Sequence, residues 1–560
     1  MRKISRLLVA LVCLAMLFSI VACNKSDNGG DTNSPAANTG GATDSPGGSS
    51  SPSTSSGGSS PSSSGGSSPA NTSGGSGNVP APETTRDTLN LSIGSDSGTL
   101  HPLGITGGFV GINYPHMEPL YNVNLDGSIT WILATSMDPV GELERTLKIR
   151  EGVTFSNGNP LTAEDVMFTM EECKANRQFS LNVKVVDFEK TKMIDDYTID
   201  LWYTEFNASM EPGFAQMLIM DKESYDEVGM STNPIGTGPY VVTEYVVNSH
   251  VSFEARTDYW GQQPAIKYIN FNIINESAQI INALETGDID AATVSLKDVS
   301  FLESLGYKTR TTTSGYPYVT LFSMRPDSPI ASPEARFAIC HSIDRQAIAD
   351  IIFMGMSSVV DFPASHYSID FEPRLANLHE TYSIGYNPER AKELAEQSGL
   401  VGKTVRIISN GTADYTTVAE IIQLGLLEIG VNAEILNLDQ ATYYGTMMDA
   451  SNFEIAVLTP GTPSRLACDL MAMELTFIPL GWEGPEADLY KSTAMEALCT
   501  FDEKERSDKI FEAVSLFVNN PPWYALCEVV GARAWASNLG GYEELISNSS
   551  TIFYQYLYFT

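Results

Sequence analysis

The residues of this chain that could do chemistry form no complete catalytic motif. Its six histidines are scattered, and no His-Glu-x-x-His pattern of a metalloprotease occurs. Neither Ser-x-x-Lys nor, in the part predicted to fold, Gly-x-Ser-x-Gly is present, so the common settings of a nucleophilic serine are missing. The run Gly402-Lys403-Thr404 copies the end of a phosphate-binding loop, but Gln397 stands where that loop needs glycine. These patterns favour a binding protein over an enzyme.

Other suggestive patterns also fall short of a cofactor or metal site. The run Gly236-Thr237-Gly238 is followed by no third glycine and no helix pattern, which argues against a phosphate loop. Five cysteines outside the leader form no Cys-x-x-Cys or Cys/His cluster, so we expect neither zinc nor any other cofactor. Cys468 and Cys499 could pair with each other, and buried free thiols are the alternative.

Composition limits the partners and the size of the folded part. The chain of 560 residues carries 33 basic and 68 acidic side chains, a net charge of −35. Nucleic-acid binding depends on cationic neutralisation of phosphates, so we expect no nucleic-acid partner. Residues 24–86 are mostly Ser, Gly, Pro, Thr and Asn and cannot bury enough apolar surface to fold. About 470 residues remain, enough for two or three domains.

The amino terminus has the pattern of an export signal. Basic residues at the start precede a short apolar run, Leu7–Phe18, which is too short for a typical transmembrane helix. Ile20-Val21-Ala22-Cys23 resembles a lipoprotein box, which implies that residues 1–22 are removed and that Cys23 is lipidated. Ordinary secretion with an incidental cysteine is the alternative. Residues 23–86 would then tether the folded part to the cell membrane with a span of roughly 40–50 Å. The length of this spacer favours a Gram-positive surface.

The strongest local pattern lies in Leu147–Glu172. Leu147 and Ile149 alternate with basic residues as in a strand, and a cluster of turn-forming residues follows. Thr162 is placed to cap a helix, with Asp165 three residues later as in a capping box. Val166, Met167, Met170 and Cys173 recur at helical spacing. The segment therefore predicts a strand, a turn and a helix with an apolar face.

Further elements follow from periodicity and from capping residues. Ser332 with Pro333, and Asn387 with Pro388, mark two helix starts. Alternating or continuous apolar runs predict strands, and apolar residues at helical spacing predict helices. The predicted strands are Leu89–Ile93, Val251–Ala255, Tyr318–Phe322, Val405–Ser409, Val431–Leu438 and Phe453–Leu458, and the predicted helices include Val418–Ile429 and Asp502–Val518. The succession Val405–Ser409, Val418–Ile429, Val431–Leu438 is a βαβ unit with a parallel strand pair.

Several of these segments together resemble one known family. Arg150–Val166, through Arg150, Gly152, Phe155, Gly158, Pro160 and Thr162–Val166, is similar to the signature of the bacterial extracellular solute-binding proteins of the peptide/nickel type. The same family has runs similar to Glu118-Pro119-Leu120, Asn233–Tyr240, Asp258–Gly261, Leu284–Asp290, Arg336–Arg345 and Tyr386–Gly399. The resemblance extends, with gaps, from about residue 87 to residue 545.

This resemblance implies an α/β fold of two lobes with mixed sheets and a hinge between them. Residues 87–308 would form lobe I, with an extra subdomain inserted at about residues 123–235. Lobe II would comprise residues 309–528, and residues 529–560 would return to lobe I. The ligand would be enclosed between the lobes.

The resemblance also suggests ligand-binding residues. In the family's peptide binders an acidic residue after a lobe II strand meets the peptide amine, and Asp469 is the nearest candidate here; capping of a following helix is its alternative role. The basic residue that a dipeptide binder carries after the strand matching Val405–Ser409 is missing, so Arg465 or Arg374 would have to replace it. A strict dipeptide binder is therefore disfavoured. Aromatic residues that could line an apolar cleft are Tyr114, Tyr316, Tyr318, Tyr443 and Trp482.

Together these features predict a lipid-anchored, monomeric substrate-binding protein of an ABC importer. Its ligand is expected to be a peptide, with oligopeptides favoured, and its partners are expected to be membrane permease subunits. A surface sensor that presents a captured peptide to a receptor is the alternative without transport. A non-peptide solute such as a nickel chelate or an oligosaccharide remains open, and a surface peptidase ranks third.

Overall fold

The computed structural model describes most of the chain beyond the spacer. The described residues are 81–94, 96–104, 111–124, 128–176, 179–208, 213–362, 370–449, 452–459, 480–543 and 553–560. Within these ranges, no helix combines the length and apolar character needed to cross a membrane. Cys23, Arg465, Cys468, Asp469 and most of the predicted tether lie outside the described residues.

The strands alternate with helices along much of the chain. The strands are β1 (Thr88–Ile93), β2 (Tyr121–Val123), β3 (Ile129–Trp131), β4 (Ala134–Pro139), β5 (Glu144–Ile149), β6 (Lys192–Asp195), β7 (Thr198–Trp202), β8 (Tyr240–Val246), β9 (His250–Ala255), β10 (Tyr268–Ile273), β11 (Ala291–Val294), β12 (Lys308–Phe322), β13 (Thr404–Ser409), β14 (Asn432–Asn437), β15 (Ile455–Leu458), β16 (Trp523–Trp535), β17 (Leu539–Gly540) and β18 (Tyr558–Phe559).

The helices are similar in length to those of ordinary α/β proteins. They are α1 (Ala163–Ala175), α2 (Glu227–Met230), α3 (Ser277–Thr286), α4 (Val299–Ser304), α5 (Pro333–Ser342), α6 (Arg345–Phe353), α7 (Leu378–Tyr382), α8 (Pro388–Gln397), α9 (Ala413–Glu428), α10 (Gln440–Asp449), α11 (Pro485–Cys499) and α12 (Glu503–Asn519).

The predicted capping residues begin their helices. Thr162 and Asp165 form the complete capping box of α1, and Val166, Met170 and Cys173 are buried on its inner face. Ser332 caps α5 by accepting from the Ala335 amide. Side-chain oxygens of Asn387 and Asp502 likewise accept backbone N–H groups of α8 and α12.

A mixed sheet of ten strands runs through the molecule in the order β14-β13-β15-β12-β16-β11-β1-β10-β9-β8. Strand β13 lies parallel to β14 and β15, which confirms the predicted βαβ unit. At the other end β1 lies parallel to β10 and β11, whereas β8, β9 and β10 pair antiparallel. A separate antiparallel sheet, β4-β5-β7-β6, packs against α1.

The two long strands β12 and β16 connect the halves of the large sheet. The first part of β12, Lys308–Thr313, pairs with the end of β16, which also pairs with β11. The last part, Val319–Phe322, pairs with the start of β16 and with β15. Between them the register of β12 against β16 shifts twice, between Thr313 and Pro317 and again between Pro317 and Val319. These irregularities interrupt the ladder where one half of the sheet gives way to the other.

Separate apolar cores lie on the two sides of this interruption. The largest, formed by residues between Tyr318 and Val530, contains the buried faces of α5, α6, α8, α9, α11 and α12. Residues between Leu120 and Ile219 form the core of the four-stranded sheet. Cores built from β1, β8–β11 and the carboxy-terminal segment lie at the other end of the ten-stranded sheet. The structure is thus the predicted α/β fold of two lobes with mixed sheets.

Candidate ligand-binding site

The strand order β14-β13-β15 places a topological switch point between β13 and β15 in one half of the large sheet. Strand β13 is followed by α9 and β14 on one side, and β15 then returns to pair with the other side of β13. Such a reversal opens a crevice outside the carboxyl ends of the two central strands, which is where open α/β sheets bind ligands. Here those ends are Ser409-Asn410 and Leu458-Thr459.

Aromatic side chains gather beside this crevice. Tyr415, in the first turn of α9, shares a hydrogen bond of 2.9 Å between its hydroxyl and the Thr459 Oγ1. The Thr459 amide also donates to the Tyr415 hydroxyl, at 3.2 Å. The Tyr415 ring lies edge-on to Tyr318, with centroids 5.4 Å apart, and to Tyr443 at 6.3 Å. Tyr444 extends the group at 5.4 Å from Tyr443. We call these four side chains the tyrosine cluster.

Burial divides the cluster into a supporting part and an accessible part. Tyr318 and Tyr443 are almost fully buried, and the Tyr443 hydroxyl donates to the Val457 carbonyl. Burial holds the pKa of Tyr443 far above its usual value, so its ring stays neutral. Tyr415 is half-buried and Tyr444 is exposed. The accessible side of the cluster combines aromatic surface with hydroxyl groups, a combination that suits ligands with apolar and hydrogen-bonding groups together.

The cluster lies beside the interruption of the large sheet. Tyr318 follows Pro317 directly, at the second register shift of β12. Tyr316 belongs to the same strand two residues earlier, and the structure gives no side-chain detail for it. A ligand in the crevice would therefore lie near the strands that connect the two lobes.

Three other predicted residues lie outside the tyrosine cluster. The Arg374 guanidinium is bonded to Glu372 at 2.7 Å and to Asp508 at 3.1 Å, and it lies over the Phe511 ring. Trp482 is buried against Tyr490, with ring centroids 5.1 Å apart. Trp482 lies two residues after Leu480, and the Leu480 carbonyl accepts a hydrogen bond from the Met324 amide, just after the end of β12 at Phe322.

Tyr114 is half-buried and packs against the lobe I core that contains β1 and β8–β10. The structure thus brings Tyr318 and Tyr443 together and adds Tyr415 and Thr459, which were not among the predicted ligand-binding residues. Both residues could have been selected from the sequence, because Thr459 directly follows the predicted strand Phe453–Leu458 and Tyr415 lies in the loop after Val405–Ser409. Only acidic and basic side chains were sought in these loops, so a tyrosine and a threonine at the same strand ends were not selected.

The motifs that resemble the family lie in a buried centre of lobe I. Glu118 accepts hydrogen bonds from the Tyr259 hydroxyl at 2.7 Å and from the Trp260 Nε1 at 3.0 Å. Burial of this carboxylate raises its pKa to about 6, although both donors oppose the shift. Gly238 passes so close to the neighbouring chain that a Cβ there would lie 2.6 Å from the His116 carbonyl carbon. These residues therefore have a structural role here.

Arg256 joins the four-stranded subdomain to lobe I. Its guanidinium is buried and donates to the carbonyls of Thr154 and Phe155 at 3.2 and 3.1 Å, in the turn that precedes α1. It also donates to the carbonyls of Thr237 and Gly238, both at 3.4 Å. One side chain thus supplies hydrogen bonds to two separate loops, and we call this arrangement the Arg256 junction.

Two further arginines of the matched segments stabilise lobe II. Arg336 is fully buried and donates to the carbonyls of Pro521, Ile330 and Ala331. Burial lowers its pKa to about 10. Arg345 pairs with Asp361 at 3.0 Å and lies over the Tyr524 ring.

Metal-ligating and redox groups are dispersed in the described ranges. These ranges contain no group of three or more His, Cys, Asp or Glu side chains that could hold a metal ion. Cys173, Cys340 and Cys527 are buried free thiols, and Cys499 is a half-buried free thiol. Burial raises the pKa of each of these four groups.

The separate cores on the two sides of the sheet, the connecting strands and the candidate site beside them define a two-lobe binding protein. Residues 132–466, more than half of the chain, match the family model described as bacterial extracellular solute-binding proteins, family 5 Middle. The chain belongs to this family. It is an ABC transporter substrate-binding protein of the peptide/nickel type, and its family acts outside the cytoplasm.

Some similar proteins are named for nickel binding and others for peptide binding. The chain is 27% identical over 379 residues to the nickel-binding periplasmic protein of Escherichia coli, which covers 62% of this chain and 70% of that protein. It is 24% identical over 371 residues to a putative ABC transporter peptide-binding protein of Brucella ovis, with 62% and 68% covered. The substrate-binding protein CtaP of Listeria monocytogenes has a similar structure, with a TM-score of 0.76 at 21% identity; 85% of this chain and 99% of that chain are covered.

Proposed function

We propose that the protein captures peptides of more than two residues between its lobes and delivers them to the permease of an ABC importer. The observation that carries this proposal is the tyrosine cluster at the carboxyl ends of β13 and β15. Aromatic surface beside hydroxyl groups can hold apolar side chains while bonding to peptide N–H and C=O groups. The first loop of the crevice, Asn410–Tyr415, has no basic side chain for the carboxylate of a dipeptide.

A direct test is ligand-dependent melting of the protein. The panel would contain peptides of two to eight residues, nickel with histidine, oligosaccharides and opine-like amino acid derivatives. A ligand at about 100 times its dissociation constant adds roughly 2.7 kcal/mol to the free energy of unfolding. We expect the longer peptides to raise the melting temperature by a few degrees. A response to sugars or nickel–histidine alone would reject peptides as the ligand class.

Nickel chelates are the second candidate, because relatives from Escherichia coli and Staphylococcus aureus are named nickel-binding proteins. A melting shift that requires both nickel and histidine, without any peptide response, would favour this candidate.

A sensor without a transport role would use the same binding site, so a measurement of ligand uptake decides between the importer and the sensor. Deletion of the protein should abolish uptake of the labelled ligand if it serves an importer. Unchanged uptake with altered signalling would support the sensor.

We also propose that Cys23 is lipidated and that residues 23–86 tether the folded part to the cell membrane. The lipoprotein-like end of the leader and the spacer directly after it support this assignment. Replacement of Cys23 by Ser should release the protein from the membrane fraction into the medium. Retention in the membrane fraction would contradict the anchor.

Tyr415→Ala should weaken ligand binding, because it removes the accessible ring of the cluster and the hydroxyl bonded to Thr459. Aromatic hot-spot residues at interfaces contribute about 2 kcal/mol or more, so we expect a loss of affinity of roughly 30-fold if Tyr415 is such a residue. Titration calorimetry with the peptide that gives the largest melting shift would measure it. Tyr386→Ala, an exposed tyrosine of the same lobe beside Asp344 and Glu428, is the control and should bind normally. Normal affinity in Tyr415→Ala would remove the crevice from the proposed site.

A further inference from the structure

A second contact joins the two lobes far along the chain from the hinge strands. The Ala208 amide, just after β7 of the four-stranded subdomain, donates to the Leu498 carbonyl at 2.9 Å. Leu498 is at the end of α11, in lobe II. Next to this bond the ring of Phe206 lies edge-on to Phe501, with centroids 5.2 Å apart and an interplanar angle of 88°. Such perpendicular aromatic pairs are attractive.

Both sides of this contact are held by hydrogen bonds within their own part of the molecule. On the subdomain, Arg145 is buried and donates to the carbonyls of Gly141 at 2.7 Å and of Glu144 at 3.0 Å. Its guanidinium lies 5.3 Å from the Tyr203 ring and 5.8 Å from the Phe501 ring. A cation in this position attracts an aromatic face across the gap.

On lobe II the turn between α11 and α12 is fixed by Arg506. Its guanidinium donates to the carbonyls of Thr500 and Phe501 at 2.9 and 3.2 Å. Phe501 nevertheless remains 47% exposed. Its ring contacts Phe206 of the subdomain and does not belong to the large apolar core of lobe II.

The subdomain cannot stay with lobe II when the lobes separate, because the Arg256 junction fastens it to lobe I. The Ser156 amide adds a further bond of 2.9 Å to the Gly236 carbonyl at the same place. In the large sheet, the lobes are joined through β12 and β16, where the register is interrupted. Rotation about those strands would pull Ala208 from Leu498 and Phe206 from Phe501.

We propose that Arg145, Phe206 and Phe501, with the Ala208–Leu498 hydrogen bond, form a latch that stabilises the arrangement of the lobes in this structure against their separation. The latch acts whatever the ligand is, so this inference goes beyond the proposed function. It sets the balance between open and closed protein, and with it the apparent affinity of any ligand that binds the closed form.

The experiment is a double-mutant cycle in the full-length protein without added ligand. The variants are Phe206→Ala, Phe501→Ala and the double variant. The first readout is the radius of gyration from small-angle X-ray scattering, which increases on opening. The second is the rate at which N-ethylmaleimide modifies Cys499, followed by mass spectrometry of its peptide. Cys499 directly follows Leu498 of the latch and lies close enough to Glu205 and Lys184 for their charges to act on its thiol.

Loss of an aromatic pair shifts an equilibrium roughly 2- to 10-fold. Each single variant should therefore have a larger radius of gyration and label Cys499 about 2- to 10-fold faster than the unmodified protein. The double variant should label no faster than the faster single variant, because both changes remove one contact. Phe188→Ala, which removes a ring that lies over Lys174 inside the subdomain, is the control and should change neither readout.

Two results would overturn the latch. An unchanged radius of gyration in both single variants would show that the contact does not control opening, even if local exposure of Cys499 increased. Labelling rates that multiply in the double variant would show that the two rings act independently of each other.

Discussion

Arg256→Met should lower the free energy of unfolding by about 1–3 kcal/mol or more, because it removes the donor to several buried carbonyls, whereas its ion-pair partner Asp258 is mostly exposed and stays hydrated. The methionine fills similar volume, so loss of packing contributes little. The carbonyls of Thr154, Phe155, Thr237 and Gly238 lose the donor that satisfies them inside the protein. Each buried acceptor left without a partner costs about 1–3 kcal/mol.

Urea unfolding measures this loss, and hydrogen exchange shows where it acts. We expect faster exchange in residues 153–158 and 235–240, the two loops that the Arg256 junction connects. Arg390→Met is the matched control, because Arg390 is exposed and pairs with Glu393 one helical turn away. Such surface pairs contribute about 0–1 kcal/mol. Equal stability losses in the two variants would show that the junction contributes no more than a surface ion pair.

Local signals in the sequence placed many elements correctly because capping and alternation act over a few residues. Thr162, Ser332, Asn387 and Asp502 each begin the expected helix. The limits were less accurate where apolar periodicity was weak. Helix α9 begins at Ala413 rather than Val418, because its first turn is polar and exposed, and that turn contains Tyr415.

Longer-range pairing was harder to read. Only Tyr318–Phe322 was predicted as a strand, whereas β12 begins at Lys308, because a threonine-rich run shows no apolar alternation. This strand connects the lobes through its partner β16, more than 200 residues later in the chain. Similarly, Phe206 and Phe501 meet through folding alone, and no local pattern marks either residue as part of a contact between lobes.

The motif matches located the family but not the ligand. Four residues of matched or adjacent segments make hydrogen bonds or close contacts within the same buried part of lobe I. They are Glu118, Gly238, Arg256 and Trp260. A motif can therefore identify a fold because it builds a buried junction that the fold requires. Loops at strand ends tolerate changes of sequence better than buried junctions do, which explains why the candidate site had weaker sequence signals.

His116→Leu should make the protein less sensitive to acid. The His116 ring is buried, stacks on Phe253 at 5.4 Å, and has no hydrogen-bond partner for either ring nitrogen among the described residues. Burial lowers its pKa to about 3 from an ordinary value of 6.5. The unfolded chain therefore takes up a proton first as the pH falls, so stability that is complete above pH 6.5 is lost progressively toward pH 3. Between pH 7 and pH 5 this group should cost about 2 kcal/mol.

Glu118, two residues away, has the opposite sign. Its raised pKa of about 6 stabilises the protonated native state, so its contribution is present below pH 4.5 and disappears as the pH rises past 6. The total pH dependence therefore mixes both groups, and the difference between variants isolates His116. In urea unfolding, the stability of His116→Leu relative to the unmodified protein should improve by about 2 kcal/mol from pH 7 to pH 5. Phe253→Leu alters the same ring contact but keeps His116, so its stability relative to the unmodified protein should not improve at low pH. Parallel pH profiles for all three proteins would mean that His116 titrates alike in the folded and unfolded chain.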